Sequence, residues 1–225
     1  MSSFVLTLTK EEQVAENVFL RLATETDGFE AYAHPHAIRI AKIADELAQR
    51  FNLARQDRFS LRLAALGHDI GEYKMRREYI RRNGPLSEDE RLDLMRHPVL
   101  GEQEAAKNGA TRGAQLLIRW HHEWWNGMGY PDGLSREQIP LAARILRVAD
   151  GYVAMTDARP YEPALTEEVA RKYLIQWAGL EFDPNVVRVF LALEGIPELR
   201  SYAPPDEEQF VQEKSQRIIS TFEMN

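Results

Sequence analysis

Apolar positions recur three and four residues apart along most of the chain, and no stretch keeps the two-residue alternation of a half-buried strand. The run "ARILRVADGYVAM" repeats its apolar residues with a period near 3.6, the pattern of a buried helix. Starts and stops agree with this. "TKEE" (Thr9 to Glu12) and "SEDE" (Ser87 to Glu90) read as capping boxes, in which a hydroxyl and a later Glu satisfy free amides at a helix start. "DPNVVRVFLALEG", with Asp183 before Pro184 and Gly195 at the end, reads as a complete short helix.

These signals predict helices near 9–25, 35–51, 56–69, 88–107, 112–122, 140–157, 166–178, 184–193 and 206–221. Most connections are short, as a compact bundle requires. The glycine-rich "NGMGYPDGLS" at 126–135 is the exception. Paired prolines in "SYAPPDEEQ" mark a linker, because a helix cannot easily continue through them. The expectation is an all-α helical bundle over residues 1–200 with a C-terminal helical extension, a linker and appendage helix, over 201–225.

Composition adds limits rather than a function. The chain has 225 residues, 44% hydrophobic and 28% charged, enough for one globular domain with its own core. With no cysteine, disulfides, thiolate nucleophiles and Cys-ligated metals are excluded. Acidic residues outnumber Lys and Arg by 35 to 28, which argues against a DNA or RNA polymer held on a broad basic face. An anionic ligand would need local positive charge from metal ions or a small Arg cluster. "MSSFVLTLTKEEQ" has no basic and then apolar leader, and no apolar run approaches the roughly 18 residues of a membrane span. The expected compartment is the cytoplasm, with no membrane contact.

Candidate chemistry lies in the histidines and in two carboxylates set among apolar residues. His68-Asp69 follows "LRLAALG", His121-His122 follows "AQLLIRW", and Asp150 falls inside the apolar run quoted first. Ionisable groups entering a core together need partners or a metal, since an unpaired buried charge costs several kcal/mol. Three separate segments thus direct nitrogen and oxygen donors toward what could be one centre. Such donors without sulfur suit iron, manganese, zinc, cobalt or nickel. Asp69 is the best-placed carboxylate to bridge two ions, and a bridged pair suits hydrolysis of a phosphate ester.

At this point the motifs match a known family. "GHDIG" resembles the signature of the HD superfamily of metal-dependent phosphohydrolases, and "HHEWWNGMGYPDGLSREQIPLAARILRVAD" resembles the longer signature of its HD-GYP branch. "HAIRIAKIADELA", "HPVLGEQ" and "TDARPY" continue the likeness in order, over residues 32–195. The resemblance implies an HD-domain helical bundle around a metal centre that hydrolyses cyclic di-guanosine monophosphate (cyclic di-GMP) to a linear dinucleotide or GMP. It implies the ligands His36, His68, Asp69, His97, His121, His122 and Asp150. One ion would take His36, His68, Asp69 and Asp150, the other Asp69, His97, His121 and His122, with Asp69 the catalytic bridge that holds an activated hydroxide. Iron or manganese is expected first, with zinc, nickel or cobalt as alternatives. Gly129-Tyr130-Pro131 matches the GYP loop, which in the family lies beside the active site and is implicated in docking diguanylate cyclase domains.

Departures from the family pattern sharpen the expectation. Glu72 stands where the family has a phosphate-contacting Lys, Asn126 where it has Asp, and Val153 where it has the second acid of a "DxxD" segment. Arg159 matches a phosphate-binding arginine, but Glu162 occupies a position that is often basic. Tyr32 replaces the Glu that precedes the first histidine in trinuclear members, so two ions are expected. Lys74, Arg76 and Arg77, in "YKMRREYIRR", are candidates to supply phosphate contacts as a lid. His34, beside Pro35, is expected at the surface. Two further readings remain: an HD-type hydrolase of another nucleotide or phosphate ester, and an adaptor that binds a cyclase domain through the GYP loop.

Overall fold

The computed structural model describes residues 8–159 and 163–203. Among these the regular structure is helical: α1 (Lys10–Phe29), α2 (His36–Arg50), α3 (Arg55–Gly67), α4 (Ile70–Met75), α5 (Glu88–Leu94), α6 (His97–Lys107), α7 (Arg112–Trp120), α8 (Leu141–Thr156), α9 (Glu167–Gln176) and α10 (Pro184–Leu191). Three short 3-10 turns lie between or after them, and the all-α expectation holds. The expected appendage helix, and Glu162, lie outside the described residues.

Local chemistry accounts for the starts. Thr9 Oγ1 accepts from Glu12 N at 3.2 Å while Glu12 returns to Thr9 N at 2.8 Å, and Ser87 with Glu90 repeats the arrangement on α5. Asp183 caps α10 by accepting from Asn185 N, with Pro184 in the first turn.

Two expected helices are broken, and both breaks fall at site residues. The 88–107 helix divides at Met95 and Arg96, because Pro98 has no N–H to donate to Leu94 O and continue the ladder. The 56–69 helix ends at Gly67, and a separate turn of helix begins after Asp69. α1 runs on to Phe29, beyond the expected end at 25.

The core is formed by α2, α3 and α8, where Ile40, Ile43, Leu47, Leu61, Leu63, Ile145, Leu146 and Tyr152 are almost wholly buried. Phe19 of α1 closes one side, and a Cβ on Gly67 would come within 2.7 Å of its ring. α4 crosses α6 still more closely: a Cβ on Gly71 would sit 2.0 Å from the His97 carbonyl oxygen. The glycine of "HDIG" is therefore a packing requirement, and it brings the break after α3 up against the start of α6.

Candidate metal centre

All seven expected ligand residues come together where these helix ends meet. Asp69, His97, His121 and His122 form one group and His36, His68 and Asp150 another, the ligand atoms of each lying within 4.8 Å of one another. Asp69 faces both groups. Its Oδ2 is 2.9 Å from His68 Nε2, and its Oδ1 is 3.3 Å from His97 Nε2 and 3.5 Å from His121 Nε2. His68 Nε2 is 3.8 Å from Asp150 Oδ1.

A common device orients three of the imidazoles. His68 Nδ1 donates to Ala65 O at 3.0 Å, His97 Nδ1 to Leu94 O at 2.8 Å, and His121 Nδ1 to Ile118 O at 2.7 Å. Each acceptor belongs to the last turn of a helix that has just ended, where carbonyls lack their usual amide partners. For Leu94 the missing partner is the amide that Pro98 does not have. A ring that donates from Nδ1 as a neutral imidazole presents an Nε2 lone pair, the tautomer a metal needs.

The lone pairs so presented have no protein partner that suits them. His97 Nε2 and His121 Nε2 lie 3.2 Å apart, and with both Nδ1 atoms donating to carbonyls there is no proton to share between them. His68 Nε2 and Asp69 Oδ1 are buried, and although His68 Nε2 is 2.9 Å from Asp69 Oδ2 and Asp69 Oδ1 3.3 Å from His97 Nε2, neither contact has hydrogen-bond geometry. Buried acceptors facing one another are costly, and a cation removes the cost. The residues present therefore fit divalent ions. The electrostatics show the same demand: burial opposes a charged His68, but Asp69 and then Asp150 outweigh it and push the imidazole up to about 10. Burial likewise opposes an ionised Asp69, yet the surrounding imidazoles hold its carboxyl well below the usual range. Burial lowers both His121 and His122, His122 well below the usual imidazole range.

Beside the centre lies a cavity of about 300 Å3 whose polar walls include Glu30, Glu72, Arg147 and Arg159. Arg159 lies over the Tyr32 ring at 5.1 Å, and Tyr32 stacks on His36 with centroids 3.8 Å apart. Glu72 is 13% exposed; burial and then Asp69 push its carboxyl up to about 7. Burial, followed by Asp69 and Glu72, raises Glu30 well above the carboxylate range.

Lys74, Arg76 and Arg77, the lid candidates, are not among the residues that line this cavity. Arg76 ends α4 in the left-handed region and turns the chain toward α5. There Arg77 pairs with Asp93 at 2.8 Å, Arg76 lies over Tyr73, and Lys74 faces Glu104 at 3.7 Å. The unexpected cation is Arg147. Its Nη1 donates to Asp150 Oδ2 at 3.0 Å and approaches His122 Nδ1 at 3.4 Å, while Nη2 pairs with Glu181. The sequence signal was present, an arginine inside an apolar helix three residues before Asp150.

The GYP loop is built onto the same centre. Tyr130 stacks on His122 with centroids 4.8 Å apart, and a Cβ on Gly129 would come within 2.2 Å of Trp124 N. The peptide bond to Pro131 is cis. Glu123 accepts from Asp132 N and Leu134 N, and Asn126 Oδ1 accepts from Met128 N, so the departure from Asp at 126 leaves an ordinary turn. His34 is half-buried and stacks on Tyr202 rather than standing alone at the surface.

With this geometry in view, comparison with known proteins is direct. The HD domain family matches residues 18–186. The chain belongs to the HD domain family. The HD domain of this chain is 36% identical over 155 residues to the cyclic di-GMP phosphodiesterase response regulator RpfG of Xanthomonas campestris, covering 68% of this chain and 41% of that protein. It is 30% identical over 159 residues to the 3'3'-cGAMP-specific phosphodiesterase 3 of Vibrio cholerae, covering 71% and 35%. Among solved structures, the HD domain superposes on a cyclic GMP-AMP specific phosphodiesterase of Vibrio cholerae with a TM-score of 0.65 at 19% identity, covering 92% of this chain and 53% of that one. An HDG"Y"P protein from Bdellovibrio bacteriovorus gives 0.59 at 18% identity, covering 80% and 67%. The chain spans less than half the length of these curated relatives. Among the described residues no helix is long and apolar enough to cross a membrane.

Proposed function

We propose that this HD domain is a metal-dependent phosphodiesterase that hydrolyses a cyclic dinucleotide, cyclic di-GMP first, to a linear dinucleotide or GMP in the cytoplasm. The observation that carries the reading is Asp69, whose two carboxylate oxygens face two separate sets of buried donors. His36, His68 and Asp150 would hold one ion, His97, His121 and His122 the other, and Asp69 both; iron or manganese suits the set best. Divalent ions held there supply Lewis acidity toward water and a phosphoryl oxygen. Arg159 on the cavity wall is the phosphate-orienting residue, and the cavity itself brings the ester beside Asp69.

Glu72 favours a second reading within the same chemistry. A carboxylate in the wall opposes a phosphodiester by on the order of 1 kcal/mol at an effective dielectric near 20. That charge reversal makes another phosphate ester or cyclic dinucleotide, such as the 3'3'-cGAMP of the Vibrio relatives' names, the alternative substrate. Protein reloaded with manganese or with iron under anaerobic conditions, then offered cyclic di-GMP, 3'3'-cGAMP and simple phosphate esters, separates the readings. Faster cleavage of cyclic di-GMP supports the first and faster cleavage of 3'3'-cGAMP the second. Protein that binds metal yet cleaves neither sinks both, and leaves the adaptor role of the GYP loop toward a cyclase domain.

A further inference from the structure

His36 differs from the other helix-end imidazoles. It is the first residue of α2, so no helix has just ended behind it, and no last-turn carbonyl is at hand. Its Nδ1 lies 2.8 Å from Asp157 Oδ2 instead. Asp157 is 2% exposed and follows the last residue of α8; its amide donates to Val153 O at 2.8 Å, one turn beyond the position where the resemblance leads one to expect an acid.

The other oxygen of Asp157 pairs with Arg39, which is itself buried. Arg39 makes three more hydrogen bonds. It donates from Nε to Glu198 O at 2.7 Å and from Nη2 to Thr156 Oγ1 at 2.9 Å and to Arg200 O. The guanidinium balances the carboxylate, and a His36 ring that donates from Nδ1 to Asp157 turns its Nε2 toward His68 and Asp150. Tyr32 stacked on one face leaves the ring little freedom to flip.

We propose that Asp157 is a positioning residue for the metal centre. Held by Arg39, it fixes the tautomer and orientation of His36 and so sets the affinity of the His36, His68 and Asp150 side for its ion. A carboxylate acceptor also makes the ring a better donor than a carbonyl does. This inference rests on the metal-centre reading, and residues 198–200, which hold Arg39, become part of that centre's support.

The test is titration of Mn2+ into the metal-free full chain, for the parent, Asp157→Ala and Asp157→Asn, with long-range 1H–15N NMR of the imidazoles in the metal-free parent. The parent should bind two classes of Mn2+ and carry the His36 proton on Nδ1. Asp157→Ala should weaken one class by about 10- to 100-fold and leave the other within about twofold, with Asp157→Asn, which keeps an acceptor oxygen, in between. Unchanged affinity of both classes in folded Asp157→Ala, equal loss of both, or a parent His36 protonated on Nε2 would each overturn the proposal. Should Asp157→Ala not fold, Asp157→Asn and the parent's tautomer decide. A parent that binds no Mn2+ defeats the metal-centre reading instead, while the tautomer still reports on the bond between Asp157 and His36.

Discussion

The two sides of the centre are held in place differently. On the side of His97, His121 and His122, two imidazoles are anchored to main-chain carbonyls and the helices behind them are locked by a glycine contact. On the side of His36, His68 and Asp150, only His68 has such an anchor; His36 relies on Asp157 and Asp150 on Arg147, both side chains. Main-chain anchoring arises wherever a helix stops, so it is local. The bond between His36 and Asp157 joins residues 121 positions apart, and Arg147, one turn before Asp150, is itself held by the distant Glu181, so this side is complete only once the fold has formed.

The largest effect should come from breaking the local side at its packing contact. Gly71→Ala places a methyl against the His97 carbonyl and should cost about 3 kcal/mol or more, read as the urea unfolding midpoint of the metal-free protein. A parent-like midpoint would mean that α4 and α6 can separate without loss. Next comes the long-range side. Arg147→Met leaves Glu181 without its cation and should cost roughly 2 kcal/mol, less than the about 3 kcal/mol of a fully buried pair. If the variant keeps both parental stability and parental Mn2+ affinity, Arg147 does not support Asp150.

A smaller change tests the wall shared with the substrate. Glu72→Lys should lower the KM for a cyclic dinucleotide about fivefold, which is about 1 kcal/mol, with little change in kcat. No gain in KM would show that the reversal at 72 has little weight in substrate choice. The smallest effect is a pH dependence at the segment that leads into His97. The Arg82 guanidinium and the Ser87 amide hold Glu90 at about 2 in the folded protein against 4.5 normally. A depressed carboxyl contributes above its unfolded value and stops contributing as pH falls through its folded one. Amides of α5 should therefore exchange faster between about pH 4.5 and 2, ahead of those of α2, as hydrogen exchange would show. Simultaneous loosening of α2 would remove the distinction.

The same division explains what could be read from the chain. His68-Asp69, the His121-His122 pair and Asp150 within an apolar run are visible because each breaks a local pattern. The split before His97 was legible as well, through Pro98, although the helical period ran across it. Arg147 interrupts the apolar run as Asp150 does, but its partner Glu181, like the His36 partner of Asp157, becomes a neighbour only when α8 packs. The placement of the basic run after "HDIG" is likewise set by the fold. After the left-handed turn at Arg76, Arg77 and Arg82 pair with Asp93 and Glu90 of α5, while Lys74 faces Glu104 of α6.

A carbonyl of the main chain is present whatever residue occupies its position. Point mutations at Ala65, Leu94 or Ile118 leave an oxygen where His68, His97 and His121 need one, so these anchors are sheltered from random change as long as the helix ends hold. The anchor of His36 depends on a single codon, that of Asp157. Drift in this lineage should thus damage the centre unevenly, eroding the His36 side first.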